Sequence, residues 1–267
     1  MSRKKQAAKN LKLAAVFVLL VLGLIFLSLF VKTLFIINGS RFDGLHKFNI
    51  EFAGKNKVSL VSFSPQAKSI SILNIKKNKD QNSNFAKSYG IIIDGKISLK
   101  NDLSNNNISA TLIKSIFPFE SSLKDLTIVD LIRLFLFSRT VSQNFIYERE
   151  LLDQYSQAQK STLISLTFTD PQIYQENQNI EIVNATGIYG LGGRLAALIN
   201  NLGGNVVLVE SNDKEINNSK IIYSGEKTYT VKRLGEYLGF SLEKTDKKGI
   251  ADVIIIVGKD KAEGSKF

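Results

Sequence analysis

The most informative part of this sequence is a strand, a glycine-rich turn, a helix and a second strand that follow one another within about 30 residues. Residues 180–183 and 206–209 are mostly apolar, and the apolar residues between them recur at helical spacing: Leu191, Leu195, Leu198, Ile199 and Leu202. A βαβ unit of this length forces its two strands to be parallel and its crossover to be right-handed. The segment therefore predicts an α/β domain.

A second unit of the same plan follows the first. Residues 220–223 are a short predicted strand, residues 228–238 a helix and residues 251–257 a very apolar final strand. Together the two units predict a compact two-layer α/β domain of βαβ-βαβ plan over residues 178–260, followed by a polar tail at 261–267.

The glycines of the first turn raise the alternative of a nucleotide-binding loop. Gly190 and Gly192 would need a third glycine at position 195, which is Leu195. Glu210 does lie where a ribose-binding acid would, but the 57 residues after it are too few for the second half of a dinucleotide-binding fold. We interpret the turn as structural, with glycine supplying positive φ. Its residues are Asn184, Thr186, Gly187 and Gly190.

The order and spacing of these elements resemble the LytR C-terminal domain. The resemblance is carried by Val183-Asn184-Ala185-Thr186-Gly187, Gly190-Leu191, Leu202-Gly203, Ala251-Asp252-Val253 and Gly258-Lys259-Asp260. Such domains lie at the extracytoplasmic end of LytR-CpsA-Psr proteins and in membrane-anchored relatives. The resemblance implies an extracytoplasmic binding module more than a reaction.

The other end of the chain predicts a membrane anchor. Residues 1–12 contain five cations and no acid, and residues 13–31 carry no charge. As a helix, the uncharged stretch would span about 28 Å, close to the hydrocarbon thickness of a bilayer. It is too long for a cleavable signal peptide, and no Ala-x-Ala site follows it. We predict a cytoplasmic tail at 1–12, a single-pass anchor at 13–37 and an extracytoplasmic remainder.

Composition limits the chemistry and the partners. The chain has no cysteine and a single histidine, His46, so thiolate and multi-histidine metal sites are excluded, and we predict no metal site and no cofactor. The net charge is +11, of which the first 12 residues carry five, leaving +6 for residues 13–267. Outside a membrane this balance favours anionic wall polymer, envelope proteins or lipid headgroups over nucleic acid.

Residues 38–150 predict a small mixed α/β middle domain. Strands are expected at 48–52, 58–63 and 69–75, with Pro65 starting the turn between the last two. A helix is expected at 123–137, with Arg133 able to pair with a nearby aspartate. Residues 151–177 are predicted to form a helical and polar connector, with a strand expected at 161–168.

The middle hairpin is similar to that of the LytR-CpsA-Psr catalytic domain, in which a Pro-Arg-Asp motif follows the second strand. Family members transfer glycopolymers from a polyprenyl pyrophosphate carrier to peptidoglycan, using arginines, aspartates and a divalent cation. Here Lys76-Lys77-Asn78 occupies the motif, and lysine lacks the planar fork that grips phosphate. The resemblance implies Arg41, Asp43 and Lys77 as catalytic candidates. It implies Lys76, Lys77 and Lys79 as ligand-binding candidates.

Two functional hypotheses follow. The first is a non-catalytic envelope module that binds wall polymer or an envelope partner. The second is an active glycopolymer phosphotransferase, which alone would require Mg²⁺. A basic, phosphate-sized pocket with a carboxylate pair in the middle domain would distinguish the second from the first.

Overall fold

The computed structural model describes most of the chain. The described residues are 15–28, 30–32, 39–77, 85–103, 107–117, 121–212, 214–246, 249–262 and 267. The basic tail at 1–12, residues 13, 14, 29 and 33–37 of the predicted anchor, and Lys79 lie outside them.

Helix α1 (Ala15–Lys32) has a mean hydropathy of 2.7, and none of it is buried against the rest of the described chain. Its length and composition are sufficient to cross a membrane. It coincides with most of the predicted anchor.

The middle domain is built on a six-stranded mixed sheet, the N-terminal sheet. Its strands are β1 (Phe48–Ala53), β2 (Lys57–Ser64), β3 (Ser69–Lys76), β4 (Gly95–Leu99), β5 (Ser121–Lys124) and β6 (Ile146–Leu151). Their order across the sheet is β5-β4-β1-β2-β3-β6. The strands β1, β2 and β3 form the predicted antiparallel meander, while β4 and β6 add in parallel to β1 and β3.

Both faces of the N-terminal sheet are covered, so its central strands are buried along nearly their whole length. One face, with Phe48, Ile50 and Phe52, packs against α3 (Ile108–Lys114) and α4 (Ile128–Thr140). The other face packs against the short α2 (Phe85–Ser88) and α5 (Gln157–Phe168). The middle domain therefore has three layers, and its core lies on both sides of β1–β3.

The helix predicted at 123–137 is shifted in the structure, where α4 covers Ile128–Thr140 and Leu123 lies in β5. The start is set by a capping box, because the Thr127 side chain accepts from the Asp130 amide and the Asp130 side chain accepts from the Thr127 amide. Sequence periodicity alone did not detect this cap.

The strand expected at 161–168 is wrong, since these residues belong to α5. Polar and apolar residues alternate at the end of this segment, as they would in a strand. The side chains that reach the core are Ile164, Thr167 and Phe168, which have helical spacing. A capping box between Ser156 and Gln159 starts the helix. After α5, Asp170 caps the short α6 (Pro171–Glu176).

The C-terminal domain has a five-stranded sheet of its own, the C-terminal sheet. Its strands are β7 (Asn179–Asn184), β8 (Asn205–Ser211), β9 (Lys220–Ser224), β10 (Ser241–Thr245) and β11 (Val253–Val257). Their order is β10-β9-β11-β7-β8. Helix α7 (Leu191–Leu202) connects β7 to β8, and α8 (Tyr229–Leu238) connects β9 to β10, both pairs being parallel.

The βαβ-βαβ plan is confirmed, but the second unit closes on β10 and not on residues 251–257. The latter residues form β11, which lies between the two units, parallel to β7 and antiparallel to β9. The β10 strand was missed because it is a polar edge strand with little buried surface.

The core of the C-terminal domain includes residues from outside the two units. Ile92 of the middle domain is 2% exposed within it, as is Phe267 at the end of the predicted polar tail. Ile173 of α6 also belongs to this core. The two domains therefore share packed surface.

Candidate functional site

The junction between the domains is held by a buried ion pair. Asp94 directly precedes β4, and Arg233 projects from α8. The two Arg233 Nη atoms donate to the two Asp94 carboxylate oxygens at 2.7 and 2.9 Å. Burial alone would lower the pKa of Arg233, but the Asp94 carboxylate outweighs burial and holds the pKa above its usual value. This bidentate pair fixes distance and orientation together.

A second polar cluster lies beside the ion pair. The Lys47 ammonium donates to the carbonyls of Thr167 and Thr169 at 2.7 and 2.9 Å. Burial lowers the pKa of Lys47 to about 8, although the Asp170 carboxylate acts in the opposite direction. The Tyr229 hydroxyl donates to Asp170 at 2.9 Å. These contacts link the start of β1 to the end of α5 and to α8.

The third contact between the domains requires a glycine. Gly90 has a φ of +59°, and a Cβ there would lie 3.2 Å from the backbone N and Cα of Leu198 in α7. The Asn201 side-chain amide donates to the carbonyls of Tyr89 and Gly90 at 2.9 and 3.2 Å. Here the loop after α2 lies directly on α7.

Next to this contact is an open cleft of about 560 Å³ between the domains. Its lining residues are Lys87, Ser88, Tyr89, Gly90, Gln157, Lys160, Ser161, Ile164, Arg194, Ala197, Asn200 and Asn201. They come from the end of α2, from α5 and from α7. Three are cations, and among these described lining residues none is Asp or Glu.

The cleft has the chemistry of an anion site. The cations Lys87, Lys160 and Arg194 supply positive potential, while hydroxyl and amide side chains supply additional hydrogen-bond donors. A concave wall of low dielectric focuses that potential on a bound anion. Clefts at domain junctions are also common ligand sites in proteins.

The predicted site residues Arg41 and Asp43 lie near the ion pair but outside the cleft. Arg41 Nη1 donates to the Asp94 carbonyl at 2.8 Å. The Asp43 carboxylate accepts from the amides of Leu45 and His46, and it also contacts the His46 ring. Burial would raise the pKa of Asp43, but these hydrogen bonds outweigh it and hold the pKa below its usual value.

Lys76 and Lys77 lie at the opposite end of the N-terminal sheet from Arg41. Lys76 pairs with Lys57 at one end of the β2–β3 hairpin, whereas Phe48 at the start of β1 pairs with the other end of β2. The six residues of β1 place the two ends about 17 Å apart. The Lys77 ammonium donates to the Gly54 carbonyl at 2.5 Å. The structure therefore does not bring Arg41 and Lys77 into one cluster.

The turn after β7 is organised by side chains. Asn184 Oδ1 accepts from the Thr186 hydroxyl at 2.7 Å, and the Asn184 amide donates to the Ile188 carbonyl at 2.8 Å. Gly187 and Gly190 have φ values of +74° and +77°. Gly190 is the N-cap of α7 and makes no side-chain cap. The turn residues lie outside the cleft lining.

Sequence reasoning did not identify the ion pair or the cleft. Asp94 and Arg233 are 139 positions apart, so no local pattern connects them. The cleft cations come from three separate helices. A weak signal was available at Arg194, which stands next to the glycine-rich turn.

Comparisons with known proteins match the C-terminal domain. Residues 177–260 match the LytR_C family, described as LytR cell envelope-related transcriptional attenuator. No curated protein matches the chain. A crystal structure of a candidate transcriptional factor from Listeria monocytogenes, Lmo1026 (fragment 52–321), is 10% identical and covers 66% of this chain and 85% of its own. Its TM-score is 0.17, which supports no inference about fold.

Proposed function

We propose that this chain is a membrane-anchored extracytoplasmic protein of the cell envelope that binds an anionic wall polymer without catalysing a reaction. The observation that carries the proposal is the interdomain cleft, in which Lys87, Lys160 and Arg194 line one open groove of about 560 Å³. An open groove suits a chain-like ligand that enters and leaves at its ends.

The LytR_C match supports a role related to the cell envelope. Helix α1 supports anchoring, and the five cations before it favour a cytoplasmic N terminus with the rest of the chain outside. A reporter active only in the cytoplasm, fused after Phe267 through a flexible linker, should be silent. Activity of that reporter would contradict the orientation.

Two buried carboxylates of the middle domain, Asp130 and Asp94, support binding over phosphotransfer. Asp130 accepts from the Ser40 hydroxyl and from the amides of Arg41 and Phe42, each at 2.8 Å. Asp94 is held by Arg233 and by the Asn49 amide. Both groups therefore serve the fold. Magnesium-dependent turnover of a polyprenyl pyrophosphate, lost in Arg41→Ala or Lys77→Ala, would favour the phosphotransferase instead.

The binding proposal is tested with the full chain in nanodiscs of zwitterionic lipid. The probe is a fluorescent, phosphodiester-linked glycerol polymer, and a neutral glycerol polyether of equal length is the reference. Fluorescence anisotropy should detect binding of the charged polymer alone. The affinity should fall as salt rises, because the Debye length shortens to about 8 Å at 0.15 M ionic strength.

Lys160→Gln and Arg194→Gln should each weaken binding about 2- to 5-fold, since an exposed charged contact contributes about 0.5–1 kcal/mol. The matched control is Lys232→Gln, which removes an exposed cation from α8 outside the cleft lining. An equal loss in the control would mean that overall charge, and not the cleft, attracts the polymer. Absence of binding to the unaltered chain would refute the proposal.

A further inference from the structure

Helix α4 is apolar on two sides. Its inner side, with Leu131 and Leu134, is buried against the N-terminal sheet. Its outer side carries Ile128, Ile132 and Leu136, which are 45%, 41% and 58% exposed. Residues four apart lie on one face of a helix, so these three side chains form a continuous stripe. A helix that is apolar all round is normally covered on both sides.

The neighbouring helix adds exposed apolar side chains, and most exposed charges of the two helices and their flanking residues are positive. Helix α3 packs beside α4, and the exposed side chains Ile113 and Phe117 lie at its end. The surrounding charges are mostly positive. Among the described residues 107–117 and 121–140, the exposed charged side chains are Lys114, Lys124, Arg133, Arg139 and one acid, Asp125. Apolar side chains ringed by Lys and Arg are typical of surfaces that rest on anionic lipid.

The connection to α1 shows what lies next to this surface. The Ser40 hydroxyl and the Arg41 amide both donate to Asp130 of α4 at 2.8 Å, and Arg133 donates to Ser40 at 3.0 Å. Ser40 is eight residues after Lys32, the end of α1. A chain of that length reaches at most about 28 Å, and only about 10 Å remain if the apolar span continues to residue 37. Helix α4 is therefore held close to the membrane.

We propose that the outer face of α3 and α4 lies on the lipid surface, with Ile128, Ile132 and Leu136 in the headgroup region and the cations on anionic headgroups. This inference rests on the proposed membrane anchor. It adds a second attachment, which fixes the orientation of the extracytoplasmic domains relative to the bilayer.

The absence of cysteine from the chain makes a site-specific test possible. Ile132→Cys and Leu136→Cys each carry a nitroxide label on the full chain, in nanodiscs containing anionic lipid. The matched control is Leu166→Cys, at a 64% exposed leucine of α5 on the opposite side of the N-terminal sheet. Thermal unfolding of each variant checks that it is folded, and two label positions guard against one failing.

Collisions of the label with oxygen, which partitions into lipid, are compared with collisions with a water-soluble nickel chelate. Labels at 132 and 136 should collide more often with oxygen, whereas the label at 166 should collide more often with the chelate. This difference between the positions should be smaller in zwitterionic discs. Chelate access at 132 and 136 equal to that at 166 would overturn the inference. Labels at 132 and 136 that are shielded from both oxygen and the chelate, with nitroxide spectra broadened by a second label nearby, would also overturn the inference. A second copy of the chain would then cover the outer face of α4. A chain that does not enter the discs would refute the anchor itself.

Discussion

Replacing Arg233 by methionine should be the most damaging single change at the domain junction. Methionine keeps much of the side-chain volume but removes both donors from the Asp94 carboxylate, whose side chain is 0% exposed. Water cannot easily replace hydrogen bonds of 2.7 and 2.9 Å there. Removing one partner of a buried ion pair costs about 3–5 kcal/mol. The Asn49 amide remains at 2.8 Å, and Arg41 Nη2 lies 4.0 Å away, so we expect the lower end of this range.

A double-mutant cycle with Asp94→Asn isolates the interaction. Each single substitution removes the same contact, so the double variant should lose about as much stability as one single variant and not the sum of about 6–10 kcal/mol. The control is Glu243→Gln, which breaks the exposed Lys220–Glu243 pair and should cost less than about 1 kcal/mol.

The measurement is urea denaturation of the full chain in detergent micelles, followed by circular dichroism. Hydrogen exchange adds a local readout, because loss of the pair should speed exchange around Gly90 and Asn201, where the domains touch. Arg233→Met costing no more than Glu243→Gln would refute the reasoning. Strict additivity in the cycle would do so as well, since the two residues would then act independently.

Four further substitutions probe other parts of the structure. Gly44→Ala, at a φ of +75° with open space around it, should cost about 1–2 kcal/mol. Gly90→Ala should cost about 1–3 kcal/mol more than Gly44→Ala, because the added Cβ would press on α7. If chemical denaturation gave both variants the same loss of unfolding free energy, the close approach of Gly90 to α7 would be contradicted. Unfolding free energy should rise from about pH 8 to 10.5, because only the unfolded chain still holds the Lys47 proton there. This rise of the unfolding free energy should be absent in Lys47→Met. If the rise remained in that variant, a different titrating group would be its cause. Phe267→Ala should lower stability by about 3–5 kcal/mol, and an unchanged melting temperature would show that this side chain lies outside the core.

Local patterns predicted some of the regular elements that bury apolar side chains, but not α3, β4 or β6. The strands expected at 48–52, 58–63 and 69–75 match β1, β2 and β3 to within a residue at either end. The first βαβ unit was equally clear, because its glycines mark both ends of α7. Elements that bury few side chains were misread or missed, as α5 and β10 show. A capping box starts α5, and β10 forms by pairing with β9.

The candidate site could not be predicted in the same way. Lys160 and Arg194 become neighbours because α5 packs directly on α7, while the Asp94–Arg233 pair and the Gly90 contact join the two domains. Each of these contacts joins residues more than 100 positions apart. The resemblance to the LytR-CpsA-Psr catalytic domain pointed to Arg41 and Lys77. The structure places these two residues at opposite ends of the N-terminal sheet.

The central position of β11 has a consequence for how the protein is made. This strand follows the other four strands of its sheet in the chain, yet it joins β7 to β9 and so connects the two halves of the C-terminal sheet. Until it emerges from the ribosome, β7–β8 and β9–β10 have no strand between them. The part of the C-terminal core that includes Val253 and Ile255 of β11 forms only after this strand has been made. Pairings this distant in sequence also form slowly. The two βαβ units therefore stay unjoined within the sheet until β11 pairs with both β7 and β9.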